Sequence, residues 1–365
     1  MERQFPRLIV HEKRFQQNVE AAMARCREMG INVCGVIKGC HALPPIARIM
    51  RQYGTSSLGT SRLEQVVRCR SEGIEGPYWL IRIPAMSELP DVVSLCEVSL
   101  QSDLTTIKAL EQECAKQNKS HSVIVMADLG DLREGFWDKD EMVAACVAIE
   151  RTMPHLHLLG VGVNLSCYGS VRPTVEKMND LVAIAQRIES EIGRPLEVVS
   201  GGATSSFTLV HNRTMPKGIN NLRMGELFLV NLPTSWGVTD MDYMRTDAFT
   251  LQAEVIEIRE KPSHPQGELC IDAFGRKPTY VDIGVRKRAL LAMGRADVGD
   301  MDNLIPRDEG ITVVGGSSDH CILDVTDCKR DLKVGDIVEF SLLYGHLLFL
   351  TSREDVNIIY DTNNN

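Results

Sequence analysis

Short apolar runs alternate with longer amphipathic segments over residues 6–235, an order typical of parallel βα units. The strand-like runs are Leu8–Val10, Asn32–Ile37, Ser57–Gly59, Tyr78–Ile83, Val98–Leu100, Ser122–Asp128, Leu158–Asn164, Glu197–Ser200 and Asn221–Arg223. The helix-like segments are Arg14–Met29, Leu43–Gln52, Arg62–Ser71, Leu104–Lys116, Lys139–Thr152 and Val175–Ile192. Several begin after residues that favour a helix start, such as Asp103 and Pro44. Roughly eight such units predict a (β/α)8 barrel of the TIM type, with an open doubly wound sheet as the alternative.

The rhythm changes after about residue 240, where short strand-like runs follow one another between Gly, Pro and Asp turns. They are Gln252–Ile258, Glu268–Ile271, Ala289–Met293, Ile311–Val314, Cys321–Val325, Val338–Leu342 and Leu347–Leu350. No long helical period separates them, which predicts an all-β domain. The predicted organisation is an α/β chain with the barrel at residues 1–238 and a C-terminal β domain at residues 239–365, which the first strand could also join.

Charge and hydropathy exclude two classes of partner. The chain has 40 Lys and Arg against 49 Asp and Glu, and its net charge of -9 repels a phosphate backbone, so we expect no nucleic acid partner. The longest apolar runs, such as Leu158–Val163 and Ala289–Met293, are far shorter than the ~20 residues that span a bilayer, so we expect no membrane helix. Residues 1–6 lack the apolar core of a secretory signal.

The cysteines indicate a reducing environment. The 11 cysteines are spread singly with no CxxC pair, which favours reduced and mostly buried thiols and excludes a zinc ribbon. Together with the missing secretory signal, this predicts a cytoplasmic location.

A lysine follows the second strand-like run. Lys38 comes directly after Val33–Ile37 and before Gly39, so the predicted barrel places it at the carboxyl end of a strand, where the sites of such barrels form. Partial burial there disfavours the ammonium form and leaves an amine able to form a Schiff base. The alternative is a solvated lysine at a strand end.

Four further segments place polar groups after strand-like runs: Ala127–Gly135, Gly162–Ser166, Ser200–Ser206 and Leu222–Glu226. Ser200–Ser206 is rich in glycine and hydroxyl groups, which suits an anion held by backbone N–H groups and hydroxyls. It falls late in the predicted barrel, where phosphate sites are frequent. Glycine-rich turns are also common in purely structural roles.

Taken in order, these segments resemble those of the fold-type III pyridoxal-phosphate enzymes, the alanine racemase superfamily, and most closely its ornithine racemase branch. The resemblance extends from Leu8 to about Tyr344. Its motifs are Val36–Lys38, Asp128–Gly135, Gly162–Leu165, Ser200–Gly202, Asn221–Glu226, Asp272–Gly275 and Ser317–His320. It implies a pyridoxal-phosphate enzyme that interconverts the L and D forms of ornithine or another basic amino acid. It also implies a homodimer in which the β domain of one subunit covers the barrel mouth of the other.

The resemblance implies a role for each matching residue. Lys38 would hold the cofactor covalently, and Arg223 would face its pyridine nitrogen. A guanidinium stays protonated, so that nitrogen would stay unprotonated and the electron sink weak, which favours racemisation over transamination. The phosphate would be bound by Thr204, Ser205, Tyr344 and the backbone amides of Gly225 and Glu226.

Other contacts follow from the same resemblance. Asn164 occupies the position of a histidine that stacks on the cofactor ring, and Arg133 that of an arginine near the cofactor's phenolic oxygen and the substrate carboxylate. Ser318 and Asp319 match a β-domain loop that reaches the substrate pocket of the other subunit. For the far amine of a basic substrate, Asp272 is a candidate because a carboxylate suits an ammonium group.

Three positions depart from the family pattern. Met126 replaces a modified lysine that orients the arginine, and Ala42 replaces a tyrosine that assists with the phosphate. Phe274 replaces the tyrosine that serves as the base on the opposite face, and phenylalanine cannot transfer a proton. Either Lys38 swings between the two faces or another group replaces this tyrosine, and the candidates are Tyr280, which we favour, and Asp272, Asp319 and His320.

Two alternatives to a racemase remain open at this point. Asp319–Cys321 resembles the metal-binding positions of D-threonine aldolases and D-serine dehydratases, which would make the chain a metal-assisted D-amino acid lyase. The segment has no further ligand at suitable spacing, so we expect no metal. The second alternative is a non-catalytic pyridoxal-phosphate carrier, but such proteins resemble the barrel alone.

Overall fold

Two units make up the part of the chain that the computed structural model describes, residues 4–230 and 240–362. The first unit covers the described residues from Gln16 to Met244. The second unit joins the described residues up to Phe15 to those from Arg245 onward. The sequence boundary at residues 238 and 239 falls in a segment that lies outside the described residues.

Eight parallel strands close into a barrel in the first unit, each paired with the next along the chain and the last with the first. After strand β1 (Arg7–His11) and helix α1 (Glu12–Glu28), the barrel strands are β2 (Asn32–Val36), β3 (Ser57–Thr60), β4 (Tyr78–Leu80), β5 (Val98–Gln101), β6 (His121–Ala127), β7 (Leu156–Val163), β8 (Val198–Ser200) and β9 (Asn221–Met224). The helices that follow are α2 (Pro44–Gln52), α3 (Leu63–Ser71), α4 (Leu89–Leu95), α5 (Leu104–Gln117), α6 (Lys139–Thr152), α7 (Val175–Ile192), α8 (Phe207–His211) and α9 (Glu226–Leu229). The predicted (β/α)8 barrel is confirmed, and the open doubly wound sheet is wrong.

Local chemistry sets where the barrel helices begin. The Asp103 carboxylate accepts the N–H groups of Thr105 (2.8 Å) and Thr106 (3.1 Å) at the start of α5, and Pro44 is the first residue of α2, as the sequence predicts. The sequence pattern does not reveal α4, α8 and α9, because helices of seven, five and four residues are too short to show a helical period.

The barrel interior is filled by apolar side chains. Residues from β2, β4, β5 and β6 form one buried cluster, and strands that are not all neighbours can meet only inside the barrel. Its members are Cys34, Trp79, Val98, Leu100, Ile124 and Met126. In barrels of this type the interior is packed and ligand sites form at the end where the loops after the strands lie.

The second unit contains one large sheet. Its strands are β1 together with β10 (Phe249–Pro262), β11 (Val285–Leu291), β12 (Ile305–Pro306), β13 (Thr312–Gly316), β14 (Cys321–Asp324), β15 (Ile337–Ser341) and β16 (Asn357–Asp361). Strand β1 pairs antiparallel with β10 and parallel with β16, so the first strand of the chain belongs to this sheet. Two short helices, α10 (Arg295–Val298) and α11 (Tyr344–Leu350), lie between its strands along the chain.

Two predicted strands of the second unit are wrong. Residues 268–271 form no strand. The apolar side chains of Leu269 and Ile271 are exposed, so this segment gains no apolar packing that would stabilise a strand. Leu347–Leu350 belongs to helix α11, where Leu347 and Leu350 are buried one helical turn apart. A run of four apolar residues does not distinguish a strand from a short buried helix.

The thiols match the prediction from the sequence. Eight of the 11 cysteines are buried, and none forms a disulfide in the described chain. Burial raises the pKa of Cys26 and Cys146 to about 12, which keeps these thiols protonated and unreactive. Across residues 4–230 and 240–362, no helix has the length and apolar character that crossing a membrane requires.

We predict that His121 makes stability depend on pH. His121 is fully inside the barrel wall at the start of β6, with Nε2 2.9 Å from the Ser99 hydroxyl, and burial lowers the pKa of His121 to about 4. Since an unfolded histidine titrates near 6.5, the unfolded chain binds a proton that the folded one excludes, and stability falls as the pH drops below about 6.5. When the pH is lowered from about 7.5 to about 5, the free energy of unfolding measured with urea should fall by about 2 kcal/mol more for the wild type than for His121→Gln. Equal pH dependence in both proteins would contradict the prediction.

Candidate active site

Lys38 lies at the mouth of the barrel, two residues beyond the end of β2. Its side chain is half-buried. Burial is the main cause that lowers the pKa of Lys38, and the cations Arg133 and Arg223 lower it further, while Cys167 and Glu134 oppose the shift. The amine is therefore neutral more often than a solvated lysine, which is the condition for a nucleophilic amine.

Arg223 is a buried cation on β9. It is only 4% exposed, and its guanidinium donates to the Ser200 hydroxyl (2.6 Å) and to the Val163 carbonyl (2.9 Å). The Ser200 hydroxyl in turn donates to Oδ1 of Asn221 (2.6 Å). Burial lowers the pKa of Arg223, yet a guanidinium starts so high that it keeps its proton. The network fixes a permanent positive charge inside the mouth.

The glycine- and hydroxyl-rich segment forms a turn against the start of α9. The Thr204 hydroxyl accepts the N–H groups of Gly225 (3.4 Å) and Leu227 (3.3 Å), and the Ser205 hydroxyl donates to the Leu165 carbonyl (3.3 Å). These contacts are long, so the hydroxyls can exchange them for a ligand. The structure thus brings the Thr204–Ser205 turn against the Gly225–Leu227 segment, and its role as an anion site stays a prediction.

Gly225 is required by a close approach of two strands. A Cβ atom at Gly225 would lie 2.5 Å from the Val36 carbonyl oxygen and 2.9 Å from the Val36 Cβ. No side chain fits at those distances, so the backbone after β9 can run beside the end of β2 only with glycine there. This places the start of α9 close to the segment that carries Lys38.

Asn164 follows the last residue of β7 and is 8% exposed. Its Nδ2 is buried and has no hydrogen-bond partner among the described residues. A buried donor without a partner costs roughly 1–3 kcal/mol. A ligand with an acceptor or an electron-rich face at this point would remove that cost.

Arg133 lies in the loop after β6, at the same end of the barrel. Its guanidinium forms a two-pronged ion pair with the neighbouring Glu134, in which Nε donates to Oε2 and Nη2 donates to Oε1 at 2.5 Å. The negative charge of Glu134 raises the pKa of Arg133 against the effect of burial. Met126 is fully buried in the barrel core, so it takes no part in orienting this arginine.

Asp131 joins two loops of the mouth. Its carboxylate, 2% exposed, accepts backbone N–H groups from the loop after β7, those of Ser166 (2.9 Å), Cys167 (3.3 Å), Tyr168 (3.1 Å) and Val171 (3.4 Å). The loop that carries Arg133 is therefore fastened to the loop that follows Asn164.

Sequence reasoning missed three residues of the mouth. Glu134 and Asp131 were inside a motif it singled out, but their partners could be assigned only from the folded loops. Cys167 is exposed in the loop after β7, where its backbone N–H donates to Asp131. The sequence could have indicated Cys167 by its position three residues after Asn164, in a segment that follows a predicted strand.

Asp272 and Tyr280 belong to the second unit. Oδ1 of Asp272 accepts the N–H groups of Phe274 (2.9 Å) and Arg276 (2.8 Å), which closes a tight turn. Tyr280 is 40% exposed, and its ring meets the His264 ring edge-on at 6.1 Å. Asp272 thus has a structural role that uses one oxygen, and the roles of both residues toward a substrate stay predictions.

Ser318, Asp319 and Tyr344 also lie in the second unit. The Ser318 hydroxyl donates to Oδ2 of the exposed Asp319 (2.6 Å), and Tyr344 is the first residue of α11. The neighbouring Cys321 is buried, and burial raises its pKa to about 12. In the ranges that the structure describes, no three His, Cys, Asp or Glu side chains are grouped as a metal site would need.

Comparison with known proteins gives relatives for nearly the whole chain. The family model described as alanine racemase, N-terminal domain, matches residues 10–231. An ornithine racemase of Acetoanaerobium sticklandii is 37% identical over 344 residues, which are 94% of this chain and 96% of the relative. A lysine racemase of Thermotoga maritima is 37% identical over 359 residues, 98% of this chain and 99% of the relative.

Solved structures agree on the fold. The structure of an alanine racemase of Clostridium difficile 630 in complex with cycloserine superposes with a TM-score of 0.72 over 99% of this chain and 96% of that one, at 16% identity. A D-threonine aldolase of Filomicrobium marinum reaches a TM-score of 0.71 over 95% of this chain and 88% of that one, at 14% identity. At such identities the likeness shows a shared barrel and β domain. The family match and the relatives show that the chain belongs to the alanine racemase family.

We predict that Lys38 reacts with acylating reagents at lower pH than an ordinary lysine. The lowered pKa of Lys38 makes its neutral form abundant below the usual value of about 10.4. In cofactor-free protein, mass spectrometry of peptides should show the half-maximal labelling rate of Lys38 at a lower pH than that of the exposed Lys108. A shared pH profile for the two lysines would refute the argument from burial.

Proposed function

We propose that this chain is a pyridoxal-phosphate-dependent racemase that interconverts the L and D forms of a basic amino acid, with ornithine or lysine as the substrate. One observation carries the proposal: the barrel mouth combines a lysine of lowered pKa with a buried, permanently charged Arg223. The two relatives at 37% identity, named for ornithine and lysine, support the choice of substrate.

The residues at the mouth fit pyridoxal phosphate. An aldehyde requires a neutral amine, and Lys38 supplies it. A phosphate requires several donors, for which the hydroxyls of Thr204 and Ser205 and the amides after Gly225 are suited, and Tyr344 is proposed to add its hydroxyl. Asn164 offers its unpartnered Nδ2 to the ring. When bound, the cofactor accepts the negative charge that develops at the substrate Cα.

Two side chains control where protons go. Arg223 keeps its charge and does not transfer a proton, so it would leave the ring nitrogen unprotonated and favour prompt return of a proton to Cα. With the cofactor bound, Lys38 would take up or deliver the Cα proton on its own face. Racemisation then requires a second acid or base on the opposite face.

Tyr280 is our candidate for the second acid or base, and Asp319 is the alternative. Phe274, at the family's tyrosine position, has no proton to transfer. Tyr280 lies six residues further on, and its phenol is accessible in the second unit. Asp319 is exposed and accepts a hydrogen bond from the Ser318 hydroxyl.

The substrate has two charged groups besides its reacting amine. Arg133 is proposed to bind the carboxylate, since a guanidinium binds carboxylates through parallel hydrogen bonds. Asp272 is proposed to bind the far ammonium group through Oδ2, because Oδ1 is used by its own turn. This pairing of opposite charges supports selection of a basic amino acid.

We propose a homodimer as the active form. Around the barrel mouth, Leu132, Trp137 and Tyr168 are more than 60% exposed. In the second unit, Ile271 and Val281 are 65% and 78% exposed. Apolar patches of this kind mark protein interfaces, and a second copy of the chain would cover both.

We also propose a cytoplasmic location for this protein, because its cysteines form no disulfide in the described chain and unpaired thiols are typical of a reducing compartment.

Isotope exchange tests the proposed reaction. In deuterated water, the purified enzyme with its cofactor should place deuterium at Cα of L- or D-ornithine or lysine while the opposite enantiomer accumulates. Borohydride reduction and peptide mapping should find the cofactor on Lys38. The variant Lys38→Ala should lower the exchange rate at least about 1000-fold, because it removes both the point of cofactor attachment and one of the two bases. No exchange with ornithine, lysine or alanine would end the proposal.

The same assay separates the other two functions. A keto acid or an aldehyde as product, lost on chelation and restored by a divalent ion, would indicate the lyase. A bound cofactor without turnover across a panel of amino acids would indicate the carrier.

We predict that Val281→Asp breaks the dimer and with it the activity. A charge in a buried apolar contact costs several kcal/mol, so the variant should elute with the mass of one 40.6 kDa chain while the wild type elutes as two. Val67→Asp, an equal change at an exposed apolar position on α3, is the matched control and should stay dimeric. Light scattering after gel filtration measures both. A monomeric wild type with full activity would contradict the prediction.

A further inference from the structure

The loop after β6 holds Arg133 and Glu134 in a defined geometry. Phe136 donates its N–H to the Met126 carbonyl (2.8 Å), and its carbonyl accepts the N–H of Asp128 (3.1 Å), so the loop returns to the strand it left. At Gly135, φ is +135° and a Cβ would lie 2.3 Å from the Asp128 nitrogen, so only glycine closes the loop. The two charged residues are thus presented from a closed frame.

Inside this frame the ion pair uses one edge of the guanidinium. Glu134 accepts from Nε and from one N–H of Nη2 of Arg133. A guanidinium has five N–H donors, so the outer edge, formed by Nη1 and the second N–H of Nη2, stays available for another carboxylate. The side chain of Glu134 is 14% exposed and that of Arg133 is 38% exposed, which leaves the arginine the more accessible partner.

Glu134 also faces the rest of the mouth. Burial lowers the pKa of Lys38 and of Arg223, and the charge of Glu134 opposes both shifts. Its side chain is mostly buried and its hydrogen bonds go to Arg133, so it is placed to hold that guanidinium.

We propose that Glu134 is a positioning residue that holds one edge of the Arg133 guanidinium so that the other edge meets the substrate carboxylate. The role rests on the proposed function, in which Arg133 binds that carboxylate. Glu134 would perform it where Met126 leaves no orienting group on the strand itself.

Two measurements on Glu134→Gln test the proposal. First, phenylglyoxal should modify Arg133 at least about threefold faster in the variant, because an amide holds a guanidinium less firmly than a carboxylate. Second, in the holoenzyme KM for the basic amino acid should rise about tenfold or more with kcat within about threefold, as expected when binding of a ground-state carboxylate is lost. Glu134→Asp keeps the charge on a shorter side chain, so its rate of Arg133 modification and its KM should fall between those of the wild type and of Glu134→Gln.

A substrate analogue and a control variant exclude a merely structural role. The diamine that lacks the carboxylate should bind wild type and Glu134→Gln equally, measured by the change in cofactor absorbance. Glu141→Gln, an equal change at an exposed residue of α6, should leave all values unchanged. Unchanged modification of Arg133, an unchanged KM, or equal weakening of diamine and amino acid would each overturn the proposal. A wild type that racemises nothing defeats the proposed function, while the labelling of Arg133 still decides whether Glu134 holds it.

Discussion

A buried positive charge is the constraint on which the mouth of the barrel depends. The guanidinium of Arg223 has left water, and an unpartnered charge there would cost several kcal/mol, so β7, β8 and β9 have to supply the Val163 carbonyl, the Ser200 hydroxyl and the Asn221 amide that support it. The same charge lowers the pKa of Lys38. Burial is the main cause of the lowered pKa of Lys38, and the charge of Arg223 adds to it.

Opposite charges and close backbone approach complete the arrangement. Burial raises the pKa of Glu226, and Lys38 opposes that shift, so an acid and a base are coupled at the point where α9 begins. In the loop after β6, Glu134 forms an ion pair with Arg133. Arg133 and Arg223 carry positive charge at the mouth, which favours ligands that carry negative charge, such as a phosphate or an α-carboxylate.

The barrel and its lysine could be predicted because both follow from periodicity: strand-like runs alternate with helix-like segments, and Lys38 comes directly after one such run. The contacts of Asp131 could not, since hydrogen-bond partners 35 to 40 residues apart leave no period in the sequence. The ion pair of Glu134 with its neighbour Arg133 could be assigned only from the folded loop. Residues 268–271 and 347–350 were misassigned because four residues are too few to reveal which period they follow. The roles of Tyr280 and Asp319 toward a substrate stay predictions, because periodicity does not reveal which groups flank a substrate.

Asp131 has a consequence for how this protein can change. Because one carboxylate accepts hydrogen bonds from four backbone amides of the next loop, the loops after β6 and β7 are joined into a single unit at the barrel mouth. An insertion or deletion in either loop displaces both, and reshaping the pocket by exchanging one loop at a time therefore disturbs the partner as well. New specificities are more accessible through paired loop replacement, or through side chains that point into the pocket from a backbone left intact.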